Sequence, residues 1–69
     1  MTELVREAAR DGRRVAVLRC RDEDGGTVVL VEAEQTGARR SYRFATAPEA
    51  FRFLQEALLA LQYLGCRVS

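Results

Sequence analysis

The chain predicts a small α+β domain of order α-β-β-β-α: a three-stranded antiparallel meander sheet with a long C-terminal helix, and a short N-terminal helix, packed on one face. Three observations carry that prediction. Hydrophobicity alternates with period two from Arg13 to Arg21, an Asp-Gly turn and a second apolar run follow, and a capping sequence at Thr46 opens a stripe of helical period.

Residues Thr2 to Arg10 place Leu4, Val5, Ala8 and Ala9 at helical spacing, behind Thr2 as an N-cap and ahead of Gly12 as a C′ residue. This segment is read as the first helix. The strand from Arg13 then runs to a two-residue turn at Asp24-Gly25, the dipeptide that tight hairpins favour. That turn sets Glu23 opposite Gly26, Cys20 opposite Val29, Leu18 opposite Val31 and Ala16 opposite Ala33, which makes one whole side of the hairpin apolar. A second turn around Thr36-Gly37 brings Tyr42 opposite Val31 and Phe44 opposite Val29, extending the same face. Thr46-Ala47-Pro48-Glu49 has the form of a capping box with proline in the first turn. Beyond it Phe51, Leu54, Ala57, Leu58, Leu61 and Leu64 recur at helical period up to Gly65, a natural stop. Phe53 and Ala60 widen this stripe past what one sheet face needs, so the first helix or a second subunit is expected over the excess. Residues 66–69 either add a short strand or fray.

The 69 residues form one domain, since a chain of this size cannot divide its apolar surface between two cores. A content of 48% hydrophobic and 30% charged residues suits a globular fold rather than a disordered or membrane-spanning one. The first residues lack the apolar core of a signal peptide, so a cytoplasmic location is expected. Eleven arginines and no lysine suit GC-rich coding in a bacterial or thermophilic source. Against ten acidic residues they leave a net charge of +1, too small a bulk field to collect nucleic acid, so that only a local patch could do so.

Such a patch is expected on the sheet face away from the helices. It holds Arg13, Val15, Val17, Arg19 and Arg21 from the first strand. Val28, Leu30, Glu32 and Glu34 come from the second, and Arg39, Ser41 and Arg43 from the third. Five arginines against two glutamates leave a local excess of three positive charges. Three readings follow: a solvated face laced with ion pairs, a homodimer interface, or a phosphate-binding surface. The homodimer interface would bury the apolar strip of Val15, Val17, Val28 and Leu30, with Val17, Val28 and Leu30 at its centre and Arg19, Glu32, Glu34 and Arg43 at its rim. If pairing runs through the last helix instead, Phe53, Leu59, Ala60 and Tyr63 are the contacts. Phosphate binding would use Arg13, Arg14, Arg39, Arg40 and Arg43, with Arg19 and Arg21 in support. It lacks a stacking platform, because Tyr42 and Phe44 fall on the core face.

The α-β-β-β-α order resembles that of double-stranded-RNA-binding domains. The likeness stops at topology: the last helix begins "TAPEAFRF" with no lysine, and the loop between the first two strands is the acidic "DEDGG". "DEDGG" lacks the further oxygen ligands of a calcium loop. Cys20 and Cys66 have no CxxC spacing and no histidine beside them, so free thiols are expected, with no metal and no cofactor. A domain without histidine has poor means for acid-base catalysis at neutral pH. The sequence therefore predicts a non-enzymatic domain that binds a protein partner, itself included, with nucleic-acid binding as the alternative.

Overall fold

The computed structural model describes residues 3–69 and consists of five strands and one helix. In chain order these are β1 (Leu4–Arg10), β2 (Arg13–Glu23), β3 (Gly26–Ala33), β4 (Arg39–Phe44), α1 (Ala47–Tyr63) and β5 (Arg67–Val68). The strands form one antiparallel sheet in the order β4-β3-β2-β1-β5. The expected fold class is corrected on two points: the sheet has five strands rather than three, and there is one helix rather than two. The resemblance to double-stranded-RNA-binding domains, which rested on an N-terminal helix, goes with it. The expected Thr2 cap lies outside the described residues.

The segment read as the first helix is β1. Leu, Arg, Glu and Ala all favour helices, but a helix this short is marginal in water, and tertiary pairing overrides the propensity. Arg10 pairs with Arg13 across a turn of Asp11 (φ 54°) and Gly12 (φ 77°), both in the left-handed region. This is the backbone a primed hairpin turn requires, and Asp-Gly is its preferred dipeptide. Gly12 thus closes a hairpin rather than a helix. Beyond the turn β1 pairs with β2 from Ala8 opposite Ala16 to Leu4 opposite Cys20. Val15 has no partner in this ladder, where the register shifts between Ala8 and Ala9. Such a bulge reverses the facing of the residues before it.

The β2–β3 hairpin has the expected register throughout, from Glu23 opposite Gly26 to Ala16 opposite Ala33. The β3–β4 register differs: Val29 meets Tyr42 and Val31 meets Arg40. The shift is two residues, one full period of the pleat, so Tyr42 and Phe44 keep the expected face. A longer connection causes it, with Gly37 N–H donating to Ala33 O and Ala33 N–H to Ala38 O, both near 2.9 Å (2.9 and 2.8 Å).

Both ends of α1 are built from local chemistry. Thr46 Oγ1 accepts from Glu49 N–H at 3.4 Å and donates to Glu49 Oε1 at 2.9 Å. At the other end Gly65 (φ 94°) donates to Gln62 O and Cys66 N–H to Leu61 O, the paired bonds of a Schellman motif. That motif reverses the chain, so Arg67 and Val68 pair with Ala9 and Ala8 as the fifth strand. No residue in the last turn of α1 is basic, but the Arg10 guanidinium lies against Gly65, where a cation offsets the helix's negative end.

The core lies between α1 and the sheet. Leu18 and Val29 are its fully buried centre, with Ala8, Ala16, Cys20, Ala50, Leu54 and Leu58 around them. Phe53 closes one flank, with its ring 4.7 Å from Tyr42 and 5.2 Å from Phe44. No helix among the described residues is long and apolar enough to cross a membrane.

Candidate functional site: the two outer surfaces

The open face of the sheet carries a lattice of alternating charge. Arg14, Arg19, Arg21, Arg39 and Arg43 each pair with a glutamate, at N to O distances between 2.5 and 3.7 Å. The partners are Glu3, Glu7, Glu23, Glu32 and Glu34. Arg19 bridges Glu3 and Glu32, Arg14 bridges Glu7 and Glu34, and Glu23 accepts from both Arg21 and Arg43. Glu32 also holds Arg39, which stands directly opposite it.

This lattice is neutral, five charges against five. The expected excess of three came from placing Glu3 and Glu7 on a helix, from ending the first strand's charged face at Arg21 and so leaving out Glu23, and from counting Arg13 where the bulge at Val15 turns Arg14 to this face. As strand residues, Glu3 and Glu7 supply the missing negative charge. Glu34, by hydrogen bond and by charge, raises the Arg14 pKa further, with Glu7 adding to it. Exposed pairs of this kind contribute about 0–1 kcal/mol each, so their main effect is on register and on partner choice.

The named apolar centre of this face is largely covered already. Val17 and Val28 are 8% and 7% exposed, lying among the long side chains of the ion pairs, while Leu30 and Val15 are half-buried. Val15, the bulge residue, packs toward the core. Of the arginines named for phosphate, Arg14, Arg39 and Arg43 are bound to glutamate, and Arg43 also donates to the Asp24 carbonyl. Arg13 and Arg40 have no ion pair among the described residues, and Arg40, opposite Val31, points to the helix side.

The second surface is the outside of α1. Its inward positions Ala50, Leu54 and Leu58 are buried, yet Leu59 is 59% exposed and Tyr63 93%, and the C-cap residue Leu64 is 64% exposed. Ala60 is exposed beside them. Of the four helix contacts named from sequence, Leu59, Ala60 and Tyr63 share this outward surface, while Phe53 is used against Tyr42 and Phe44. Sequence periodicity marks the apolar excess of α1, but not which part the sheet consumes.

Between α1 and the β1 edge runs an open groove of ≈ 320 Å³, bordered by Leu4, Arg6, Phe51, Leu58, Leu59 and Val68. It forms because one helix laid across five strands leaves the outer corner of β1 uncovered. Sequence reasoning missed it, since Leu4 and Arg6 were placed on a helix.

Cys20 is buried in the core and Cys66 partly buried, and both are free thiols. Burial, and secondarily the charge of Asp22, pushes the Cys20 pKa up, away from a reactive thiolate. Thr27, buried, donates its hydroxyl to Asp22 Oδ1 at 3.1 Å, so this inward polar side chain is satisfied. Among the described residues no group of three or more His, Cys, Asp or Glu is placed to hold a metal ion. No protein-family model matches the chain, and comparison with curated proteins and with solved structures gives no significant match.

Proposed function

We infer that this chain is a non-catalytic protein-interaction domain that pairs with a second copy of itself through the outward surface of α1. The observation that carries the reading is the exposure of Leu59 and Tyr63 on a helix whose opposite side already fills the core, with Leu64 exposed at its C-cap. Large apolar side chains clustered on one element, rather than scattered singly, are what association surfaces present. Ala60, in their midst, has a side chain small enough for two helix axes to approach closely. Arg52 and Glu56, one turn apart and exposed, supply both signs of charge at the edge of the patch, which favours a self-complementary two-fold contact.

The open sheet face suits this role less well. Its valines are shielded by side chains of their own subunit, and its charges are paired internally. The same pairing weakens the phosphate-binding alternative, because releasing an arginine to a phosphate would strand a glutamate beside it.

Light scattering after size exclusion tests the reading on three variants. Leu59→Asp and Tyr63→Asp are expected to halve the molar mass of the wild-type dimer while leaving the circular dichroism unchanged. Leu30→Asp, on the sheet face, is expected to keep the dimer mass. A dimer lost in Leu30→Asp and kept in both helix variants would reverse the assignment.

A further inference from the structure

β4 (Arg39–Phe44) forms the border of the sheet opposite to β1 and β5, with β3 on its inner side and no strand on its outer side among the described residues. The phase of its backbone follows from the hairpin that leads into it. Ala33 N–H donates to Ala38 O, so the pairs that exchange both backbone bonds are Val31 with Arg40, Val29 with Tyr42 and Thr27 with Phe44. Arg39, Ser41 and Arg43, the alternate residues, turn their N–H and C=O away from β3. Among the described residues these groups have no backbone partner.

The side chains along this border divide by face. Arg39 and Arg43 lie on the open face, bound to Glu32 and Glu23. Arg40, Tyr42 and Phe44 lie on the helix side. Tyr42 and Phe44 are half-buried, and the Phe53 ring leans against both, with centroids 4.7 and 5.2 Å away. Arg40 is exposed and has no ion pair among the described residues. An unpaired backbone ladder, an aromatic wall and an unpaired guanidinium thus follow one another along a single edge.

We propose that the β4 edge accepts an extended segment of another protein, added antiparallel to β4, with aliphatic residues against the aromatic wall and a carboxylate at Arg40. Charge and backbone chemistry select this occupant. Arginines on the edge oppose a second copy of the same strand: a two-fold contact centred on Ser41 sets Arg39 opposite Arg43 of the other copy, twice, and like charges directly opposite are destabilising. The same arginines admit a strand of opposite sign. A phosphodiester chain fits less well, because the alternating N–H and C=O groups need donors as well as acceptors and phosphate oxygens only accept.

The register follows from the pleat. The peptide residue opposite Ser41 exchanges both backbone bonds with it. The residue before it, opposite Tyr42, faces the helix side and lies beside the Tyr42 and Phe53 rings. The residue after it, opposite Arg40, faces the same way and brings its carboxylate to the guanidinium. Main-chain bonds supply the pairing and the alternate side chains supply the selection, as in other cases of strand addition. This border shares no residue with the surface of Leu59, Ala60 and Tyr63, so the peptide site stands or falls independently of self-pairing.

The test is a titration of the isotope-labelled full chain with the acetylated, amidated peptide Thr-Val-Thr-Ile-Thr-Glu-Thr, followed by amide chemical shifts. Saturable shifts at Arg39 to Phe44 and at Phe53 are expected. Methylating the backbone nitrogen of the fifth peptide residue, which donates to Ser41 O, leaves every side chain in place and is expected to abolish those shifts. Replacing the glutamate by lysine is expected to weaken binding about fivefold, as exchange of an opposite for a like charge across strands does. Arg40→Glu should reverse that preference, and Tyr63→Asp should leave the titration unchanged. Shifts that are absent or never saturate, equal binding of the methylated and parent peptides, equal binding of the glutamate and lysine peptides to both proteins, or shifts centred on Ala60 and Tyr63 would overturn the proposal. So would β4 amides that move with protein concentration alone, which would assign the edge to a second copy of the chain.

Discussion

Replacing Gly26 by alanine introduces one methyl group where the sheet has no room for it. Gly26 opens β3, opposite Glu23, and its backbone is not in the left-handed region, so conformational freedom does not explain the glycine. Close approach does. A Cβ built there falls 2.6 Å from the Phe44 carbonyl oxygen and 3.6 Å from its carbon, where ordinary contact begins at 3.4 Å. The obstacle is backbone, and it cannot rotate aside. The end of β4 must retreat by about 0.8 Å, carrying Phe44 away from Phe53, and overpacking of this kind costs about 1–3 kcal/mol. A domain of this length has roughly 3–10 kcal/mol of stability in all, so the loss is a large share. The expected fall in melting temperature is about 5–20 °C. Urea unfolding followed by circular dichroism reads the cost directly, with an unchanged slope and an earlier midpoint expected. The sign is diagnostic. A glycine in an unstrained strand position gains about 0.4–1 kcal/mol on change to alanine, through loss of unfolded-state entropy. A Gly26→Ala protein as stable as wild type, or more stable, would refute the close approach of β3 and β4 on which the register rests.

Two further outcomes follow from the core and the helix start. Thr46→Ala removes the acceptor for Glu49 N–H and is expected to cost about 1 kcal/mol, measured by the same unfolding assay, with little change at Ser or Asp. Cys20 is held protonated by burial, so the native state keeps a proton that the unfolded thiol releases as pH rises through its ordinary value. Stability therefore falls on the alkaline side, and the advantage of wild type over Cys20→Ala is expected to narrow between about pH 8 and pH 10. In the wild-type protein at neutral pH, a maleimide is expected to label Cys66 first and Cys20 only on unfolding.

The parts of the fold legible in the sequence are those specified by neighbours in the chain. Asp24-Gly25 fixes the β2–β3 register because a two-residue turn leaves no slack, and Thr46, Glu49 and Gly65 mark the helix because capping is local. β1 is not legible in the same way, since "LVREAAR" is good helix material and becomes a strand only through pairing with β2. One local signal could have shown it: Asp11-Gly12 is the same dipeptide as Asp24-Gly25, and it turns a hairpin in both places. β5 is two residues long and exists because the Schellman turn aims it at β1, which no periodicity can reveal. The charged face was legible in its central strands. Its neutrality was not, because Glu3 and Glu7 join it only once β1 is a strand, and Arg14 replaces Arg13 only through the bulge at Val15.

The arginines of the sheet face are thus partners of the glutamates beside them, and the function we propose places association on the exposed apolar side chains of α1. Molar mass in solution at about 50 mM and about 1 M sodium chloride tests that claim most directly, because salt screens charge pairing and leaves apolar contacts intact. A dimer of the same mass at both concentrations is the predicted result. A monomer at both, or a dimer that dissociates as salt rises, would contradict it.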